Sequence, residues 1–367
     1  MNACKKVAAG LVAGISLTAQ VVMLSTDAIA DRKYSDWGPV VNLGKLSCRF
    51  SLAALWMGLQ AVALALTLVS PAGAQRFSDW SAPVNLGPVV NSGSADQTPV
   101  ISKDGLSLYF ASDRPGGFGG VDIWVAQRAS VNDPWGPPQN LGSNINTPSS
   151  EISPALSADG HQLFFQSARP GGFGALDIYV SRRHNKRDDL GWGPAENLGS
   201  RVNTFNREAG PEYFKDPETG IITLYFNSDR PGGIGGNDIY ASTLQPDGTF
   251  DSPALVEELS SPADDQALAI RRDGLELIIA SNRLGTLGGL DLWVTTRAST
   301  SDPWSPPLHL GPVLNSAAVE AGVALSSKGT ALYFHSDRPG GFGAFDIYVS
   351  TRSKLKEPDD DEDEDDK

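Results

Sequence analysis

Cysteine and positive charge are both scarce in this chain of 367 residues. Its two cysteines, Cys4 and Cys48, both precede residue 75, so the rest of the chain has no thiol for a disulfide or a metal site. The net charge is −14, and eight acids lie together at residues 359–366. Without these eight acids and Lys367 the net charge is −7, which leaves no basic surplus to bind phosphates. We therefore expect no nucleic-acid partner.

Several catalytic signatures are also missing. The sequence has no serine nucleophile elbow and no phosphate-binding loop. Its four histidines fall at unmatched positions of the repeats described below, which argues against a shared metal site: His161, His184, His309 and His335. What the chain has in quantity is glycine, with 39 residues, and proline, with 25. This composition indicates many turns.

The first 74 residues contain two segments that resemble export signals. Residues 1–30 combine Lys5 and Lys6, an apolar run and an Ala-Ile-Ala exit, and residues 45–74 repeat this pattern and end in Ala-Gly-Ala. We predict cleavage after Ala74. The alternative is that residues 50–69 remain as a membrane anchor. Residues 1–74 are thus interpreted as an export leader region, and the rest of the chain is expected to be secreted or periplasmic.

Five similar units follow, the first containing SLYFASDRPGGFGGVDIWVAQR and the last ALYFHSDRPGGFGAFDIYVSTR. The arginines of these motifs recur at steps of 55, 61, 53 and 55 residues, which indicates a repeat array. Each unit predicts four short strands: one before an Asp-Gly type turn, the LYFAS run, the DIWV run after a Pro-Gly-Gly loop, and a W-x-P-x-N-L-G segment.

The order of these motifs predicts how the array closes. A fourth-strand motif at residues 80–87 precedes the first complete unit, and the last unit stops after its third strand, near Arg352. The N-terminal motif should therefore complete the last blade. We predict an all-β, closed five-bladed β-propeller over residues 75–357, with four antiparallel strands per blade. A further copy of the motif, at residues 34–44, has no blade of its own to fill.

The units resemble the WD-like β-propeller repeats of the TolB type, which share an S-x-D-G turn, an L-Y-F-x-S-D-R strand and a D-I-Y strand. The resemblance covers residues 75–352. It implies a propeller, but that superfamily includes periplasmic adaptors, sugar-binding proteins and enzymes, so it does not define the function.

Three polar positions recur in all five units. The first-strand acids stand at the start of each first strand, and we predict that they pair with the loop arginines, which we predict to be structural. Alternatively, they edge the central channel as a candidate binding ring for Ca²⁺, a cation or a sugar. The loop aspartates are also predicted to be structural, because they can accept backbone hydrogen bonds from the glycine turn. The first-strand acids are Asp96, Glu151, Glu208, Asp265 and Glu320; the loop arginines are Arg114, Arg169, Arg230, Arg283 and Arg338; the loop aspartates are Asp122, Asp177, Asp238, Asp291 and Asp346.

The glycine loops carry apolar tips: Phe118, Phe173, Ile234, Leu287 and Phe342. We predict that these tip residues pack between blades. The alternative is that they are exposed and form five equivalent weak sites, as in a multivalent lectin. Residues 358–367 are predicted to be a disordered, solubilising acidic tail.

These observations predict an exported, monomeric, non-catalytic binding or scaffold module for a protein or glycan partner. No cofactor is expected, apart from Ca²⁺ at the candidate ring. Membrane contact is expected only if residues 50–69 are retained. The alternatives are a glycoside hydrolase and a multivalent lectin. Three inward carboxylates within about 5–10 Å, in one lopsided pocket, would favour the hydrolase, whereas a symmetric ring paired to arginines would favour the module.

Overall fold

A computed structural model describes residues 77–355. The leader region predicted for residues 1–74 and the acidic tail predicted for residues 358–367 lie outside these residues. Within residues 77–355 there are 20 β-strands, and no helix of this part is long and apolar enough to cross a bilayer.

The strands form five sheets of four antiparallel strands, and each sheet is one blade. The first strands are β2 (Asp96–Ile101), β6 (Glu151–Leu156), β10 (Glu208–Lys215), β14 (Asp265–Ile270) and β18 (Glu320–Leu325). The second strands are β3 (Ser107–Ser112), β7 (Gln162–Ser167), β11 (Ile222–Ser228), β15 (Glu276–Ser281) and β19 (Ala331–Ser336). The third strands are β4 (Asp122–Gln127), β8 (Asp177–Arg182), β12 (Asp238–Thr243), β16 (Asp291–Thr296) and β20 (Asp346–Thr351). The fourth strands are β5 (Gln139–Asn140), β9 (Glu196–Asn197), β13 (Ala254–Leu255), β17 (Leu308–His309) and β1 (Val84–Asn85).

Blades 1 to 4 are continuous in sequence, from β2–β5 to β14–β17, and blade 5 consists of β18, β19, β20 and β1. Val84 pairs with Val349 in the antiparallel register of β1 with β20, so the N-terminal strand completes the last blade. Each first strand contacts the first strands of both neighbouring blades, from β2 around to β18 and back to β2. The predicted five-bladed propeller and its closure are therefore confirmed.

The hydrophobic core consists of five clusters, and each one lies between two neighbouring blades. The cluster between blades 1 and 2, for example, combines Tyr109 and Ile123 with Phe165 and Trp192. The second strands are almost fully buried because both of their faces meet a neighbouring blade. The exposed fourth strands have two residues each and adjoin prolines such as Pro83 and Pro138, which limits edge-to-edge association.

Candidate functional site

Two kinds of loop form one end of the propeller, which we call the loop face. The tip loops join second to third strands at residues 114–121, 169–176, 230–237, 283–290 and 338–345. The connecting loops precede the first strands at residues 92–95, 147–150, 204–207, 261–264 and 316–319. A glycine of each tip loop packs directly on the connecting loop of the next blade. A Cβ on Gly119 would lie 2.3 Å from the carbonyl carbon of Pro148, so this contact requires glycine.

The first-strand acids lie beneath this face and have no exposed side-chain surface. Each is paired with the loop arginine of its own blade. In blade 3, Arg230 Nη2 lies 3.0 Å from Glu208 Oε1, and Thr204 donates two further hydrogen bonds to the same carboxylate. The N–O distances in the five pairs run from 2.5 to 3.3 Å.

The loop arginines have further fixed partners. Arg230 Nε donates to Ser228 Oγ at 3.1 Å, and its Nη2 donates to the carbonyl oxygen of Val202 at 2.7 Å. The other four blades repeat both contacts. Each arginine therefore ties the tip loop, the first strand and the preceding connection of its blade into one unit.

This arrangement does not present the first-strand acids as an open ring toward the channel. Their carboxylates are buried and already bound by arginine, serine or threonine donors of the same blade. In the part of the chain that the structure describes, no group of three His, Cys, Asp or Glu side chains is placed to hold a metal ion. The Ca²⁺ ring at Asp96, Glu151, Glu208, Asp265 and Glu320 stays a prediction.

The loop aspartates hold the tip loops in shape. Asp122 Oδ2 accepts the backbone N–H of Phe118 at 2.5 Å, and Asn140 Nδ2 donates to the same oxygen at 3.1 Å. The corresponding N–H donates to the loop aspartate in every other blade. Because the turn exposes its N–H groups toward the carboxylate, the aspartate satisfies donors that would otherwise lack partners.

The propeller axis is narrow because every first strand carries a β-bulge there. The residue in the bulge has a positive φ in all five strands: Thr98 (47°), Ser153 (54°), Gly210 (56°), Ala267 (39°) and Gly322 (57°). Each of these five residues, together with the residue that follows it in sequence, lines a cavity of about 30 Å³. Such a volume holds water molecules but not a sugar ring.

Two titratable side chains break the fivefold symmetry near this axis. Glu212, on β10, accepts one hydrogen bond, from the backbone N–H of Ile270 in blade 4 at 3.2 Å, and burial raises the pKa of its carboxyl to about 8. His335, on β19, accepts the backbone N–H of Thr98 in blade 1 at 3.1 Å, and burial lowers the pKa of its imidazole to about 4. Glu212 was not predicted from the sequence, although other first strands carry Val100 or Ala155 at this position.

A second series of arginines, at the ends of the third strands, was also not predicted from the sequence. The arginine that follows the third strand stacks on the tryptophan of the W-x-P motif in four blades, as in Arg128 on Trp135 with 4.2 Å to the ring centroid. In blade 3, Leu244 and Phe250 replace both partners together. This paired replacement was the signal in the sequence that could have revealed the contact.

The tip residues are half-exposed, with exposed fractions between 45% and 51%. The prediction that they pack between blades is therefore wrong, and the alternative of exposed tips describes the structure. The physical reason is the glycine-mediated contact beside each tip. Because the two loop backbones already touch there, the side chain is not enclosed between them and stays half-exposed.

No protein-family profile matches the chain, and no curated protein sequence is similar to it. Solved structures do resemble it. An α-L-arabinofuranosidase from Lactobacillus brevis aligns with a TM-score of 0.53 at 15% identity, over 74% of this chain and 93% of that one. The catalytic domain of a Coprinopsis cinerea GH62 α-L-arabinofuranosidase gives a TM-score of 0.48 at 13% identity, over 75% and 97% of the two chains. TolB from Acinetobacter baumannii gives 0.43 at 14% identity, over 81% and 69%.

At these identities the likeness shows the fold alone. It supports a β-propeller and does not confirm the TolB-type interpretation of the repeats, which stays a prediction.

Proposed function

We propose that this protein is an exported, non-catalytic binding module that presents its loop face to a glycan or protein partner. One observation carries this proposal: five apolar tips are exposed in matching positions, while the repeated acids, arginines and aspartates beneath them are bound to one another. Exposed apolar side chains over a rigid, ion-paired support suit recognition, because little order is lost when a partner binds. The repeated ion pairs also match the criterion stated above for the module.

Export is part of the proposal and is supported by the two leader-like segments in residues 1–74. N-terminal sequencing of the protein recovered from outside the cytoplasm tests it. A mature chain that begins at residue 75 would support cleavage after Ala74, whereas retention of residues 50–69 would support an anchor.

The binding role is tested by screening the protein on an array of immobilised oligosaccharides and against a secreted-protein fraction. The test variant changes Phe118, Phe173 and Phe342 to serine. The matched control changes Val84 and Leu308 to serine, since these residues are 63% and 67% exposed but lie on outermost strands. The proposal expects the tip variant to lose binding and the control to keep it. Equal binding by both variants would overturn the assignment to the loop face.

A second candidate is a glycoside hydrolase. The observation that favours it is Glu212, a single carboxyl whose raised pKa suits a general acid, and arabinofuranosidases are among the solved structures that resemble the chain. Incubation with an aryl arabinofuranoside and with arabinoxylan tests it, with Glu212→Gln as the control. Hydrolysis by the wild type that disappears in the variant would favour the enzyme, and absence of product would favour the module.

A further inference from the structure

The junction between blades 2 and 3 differs from the other four on the loop face. At most junctions the residue in the middle of the connecting loop is small or a proline: Gly93, Pro148, Pro262 and Ala317. Between blades 2 and 3 it is Phe205, which is 76% exposed. The phenyl ring of the tip residue Phe173, 50% exposed, belongs to the adjoining loop.

The backbones that carry these two rings are in direct contact. A Cβ on Gly174 would lie 2.4 Å from the carbonyl oxygen of Thr204 and 2.8 Å from the carbonyl carbon of Phe205. The rings are therefore anchored on either side of one rigid contact between blades. Two exposed aromatic side chains on loops that touch in this way present apolar surface at this junction.

The same connecting loop supplies the polar groups. Arg207 is exposed, and its side chain forms no ion pair or hydrogen bond with any residue in the described range. The equivalent residues at the other junctions are Ala95, Ser150, Asp264 and Val319, so no other junction has a cation there.

Asn206 lies between Phe205 and Arg207 in the sequence. Its Nδ2 atom is buried and has no hydrogen-bond partner among the described residues. Because this atom is buried, it is not counted among the ligand contacts. The junction thus combines two exposed aromatic side chains with an unpaired guanidinium.

Building on the function proposed above, we propose that the junction between blades 2 and 3 is the principal ligand site, and that it binds an oligosaccharide containing uronic acid. A sugar ring offers a flat C–H face to the phenyl groups, and the carboxylate of a uronic acid suits Arg207. Arginine suits this last contact because its planar fork of donors matches a carboxylate. A peptide held by strand addition would require an open sheet edge, and this end of the propeller consists of turns.

The chain itself supplies structurally matched variants. Phe205→Pro introduces the residue that blades 2 and 4 carry at this position, and Arg207→Ser introduces that of blade 2. Proline fits there because Thr147, which precedes Pro148, donates to Glu151 at 2.7 Å just as Thr204 donates to Glu208 at 2.7 Å. Both variants are expected to keep the melting temperature of the wild type.

The experiment is calorimetric titration with a galacturonic acid oligomer and with a neutral galactose oligomer of the same length. We expect one strong site per chain, and a loss of about tenfold or more in affinity for both ligands in Phe205→Pro. Arg207→Ser should lower the affinity for the acidic oligomer about tenfold and change the affinity for the neutral oligomer little. The outer-strand variants Val84→Ser and Leu308→Ser, which lie away from the loop face, should leave this site unchanged.

A gain of function tests the assignment from the other side. The double variant Pro148→Phe and Ser150→Arg reproduces the site beside Phe118, and it should bind a second acidic oligomer per chain. Unchanged affinity in Phe205→Pro would overturn the proposed site. Five equal sites per chain would overturn it too, while leaving the binding function intact. Binding of an acidic peptide but of neither sugar would overturn the ligand class, and lack of binding by every probe would count against the binding function as well.

Discussion

At the scale of single residues, His309 occupies a position that asparagine fills in three other blades. In blade 1, Asn140 donates to the loop aspartate and accepts the N–H of Gly142. His309 reproduces both contacts, because its Nε2 donates to Asp291 at 2.7 Å and its Nδ1 accepts the N–H of Gly311 at 3.1 Å. The imidazole thus makes the same two structural hydrogen bonds as the asparagine amide, and its position near an aspartate does not indicate catalysis.

The variant His309→Asn should therefore keep the stability of the wild type. His309→Leu, which introduces the residue type of blade 3, should lower the free energy of unfolding by about 1 kcal/mol, since Asp291 loses a donor. Thermal and urea unfolding measure both effects. A larger loss of unfolding free energy in His309→Asn than in His309→Leu would contradict the equivalence of His309 with the asparagines of the other blades.

The loop arginines and first-strand acids lead to a second prediction. Arg230→Ala should lower the free energy of unfolding by about 3–5 kcal/mol, because it leaves the fully buried carboxylate of Glu208 without its cation. Arg182→Ala is the matched control. Arg182 pairs with Glu196 at 2.5 Å, but both side chains are more than half exposed, so its removal should cost about 0–1 kcal/mol.

Urea unfolding compares the two variants, and ligand binding is measured in parallel. If Arg230→Ala lost binding at an unchanged melting temperature, the arginine would be a ligand contact and the structural role assigned to this series would be wrong.

At the scale of strands, the sequence predicted the number, order and pairing of the elements but not the bulges of the first strands. Thr98, Ser153 and Ala267 have positive φ, although these residue types give no signal for such a backbone. Gly322 is required for a tertiary reason, because a Cβ there would lie 2.3 Å from His335 Nδ1. Where the second strand has Ala111 or Ala280 instead, the bulge accommodates Thr98 or Ala267. In blade 2 the bulge also accommodates Ser153, although the second strand has Gln166 there, so the second-strand residue alone does not determine where glycine is required.

The outward direction of the tip residues was unpredictable for a similar reason. The glycine-rich motif indicated a turn, but the direction of the side chain depends on the contact between Gly119 and Pro148, which are distant in sequence. Phe205 was not selected for the same reason, since its connecting loop lies in one repeat and the tip it accompanies lies in another.

Strand β10 provides a prediction about pH. Burial between blades 3 and 4 raises the pKa of Glu212 to about 8 from a usual value of 4.5, so the folded state retains a proton that the unfolded state releases. The contribution of Glu212 to stability should therefore fall as the pH rises from about 4.5 to about 8 and then level off.

Glu212→Gln should remove this dependence. The free energy of unfolding of the variant should match that of the wild type at acidic pH and exceed it above pH 8, by up to roughly 5 kcal/mol. Urea unfolding across the pH range measures the difference. Parallel curves for the two proteins would show that Glu212 ionises normally in the fold.

At the scale of the whole molecule, closure depends on a strand of two residues and on the side chains around it. Beyond the pairing of β1 with β20, Asn85 Nδ2 donates to Asp346 at 2.8 Å, and the buried Asn91 donates to the carbonyl oxygen of Ile347 at 3.0 Å. The guanidinium of Arg352 lies 3.8 Å from the ring centroid of Phe77 and 4.2 Å from that of Trp80.

Arg352 also connects blade 5 to blade 4, because its Nη2 donates to Glu276 at 2.7 Å. Between blades 1 and 2 the buried Asp189 has a similar role, since it accepts hydrogen bonds from Ser107, Tyr109 and Gln127 of the neighbouring blade. Polar contacts thus supplement the hydrophobic clusters at these two junctions. The closure of blade 5 differs in one respect: the strands that it joins, β1 and β20, come from the two ends of the repeat array.

A variant that begins at residue 92 removes β1 and the contacts of Phe77, Trp80, Asn85 and Asn91, whereas one that begins at residue 75 keeps them. We expect the shorter protein to melt at a lower temperature and to aggregate, because the outer edge of β20 then exposes unpaired backbone groups. Light scattering and thermal unfolding compare the two. A synthetic peptide of residues 77–87 should restore solubility when added in excess, whereas a scrambled peptide should not. A soluble monomer with an unchanged melting temperature would mean that four complete blades and a three-stranded fifth suffice, and that the terminal strand is dispensable for closure.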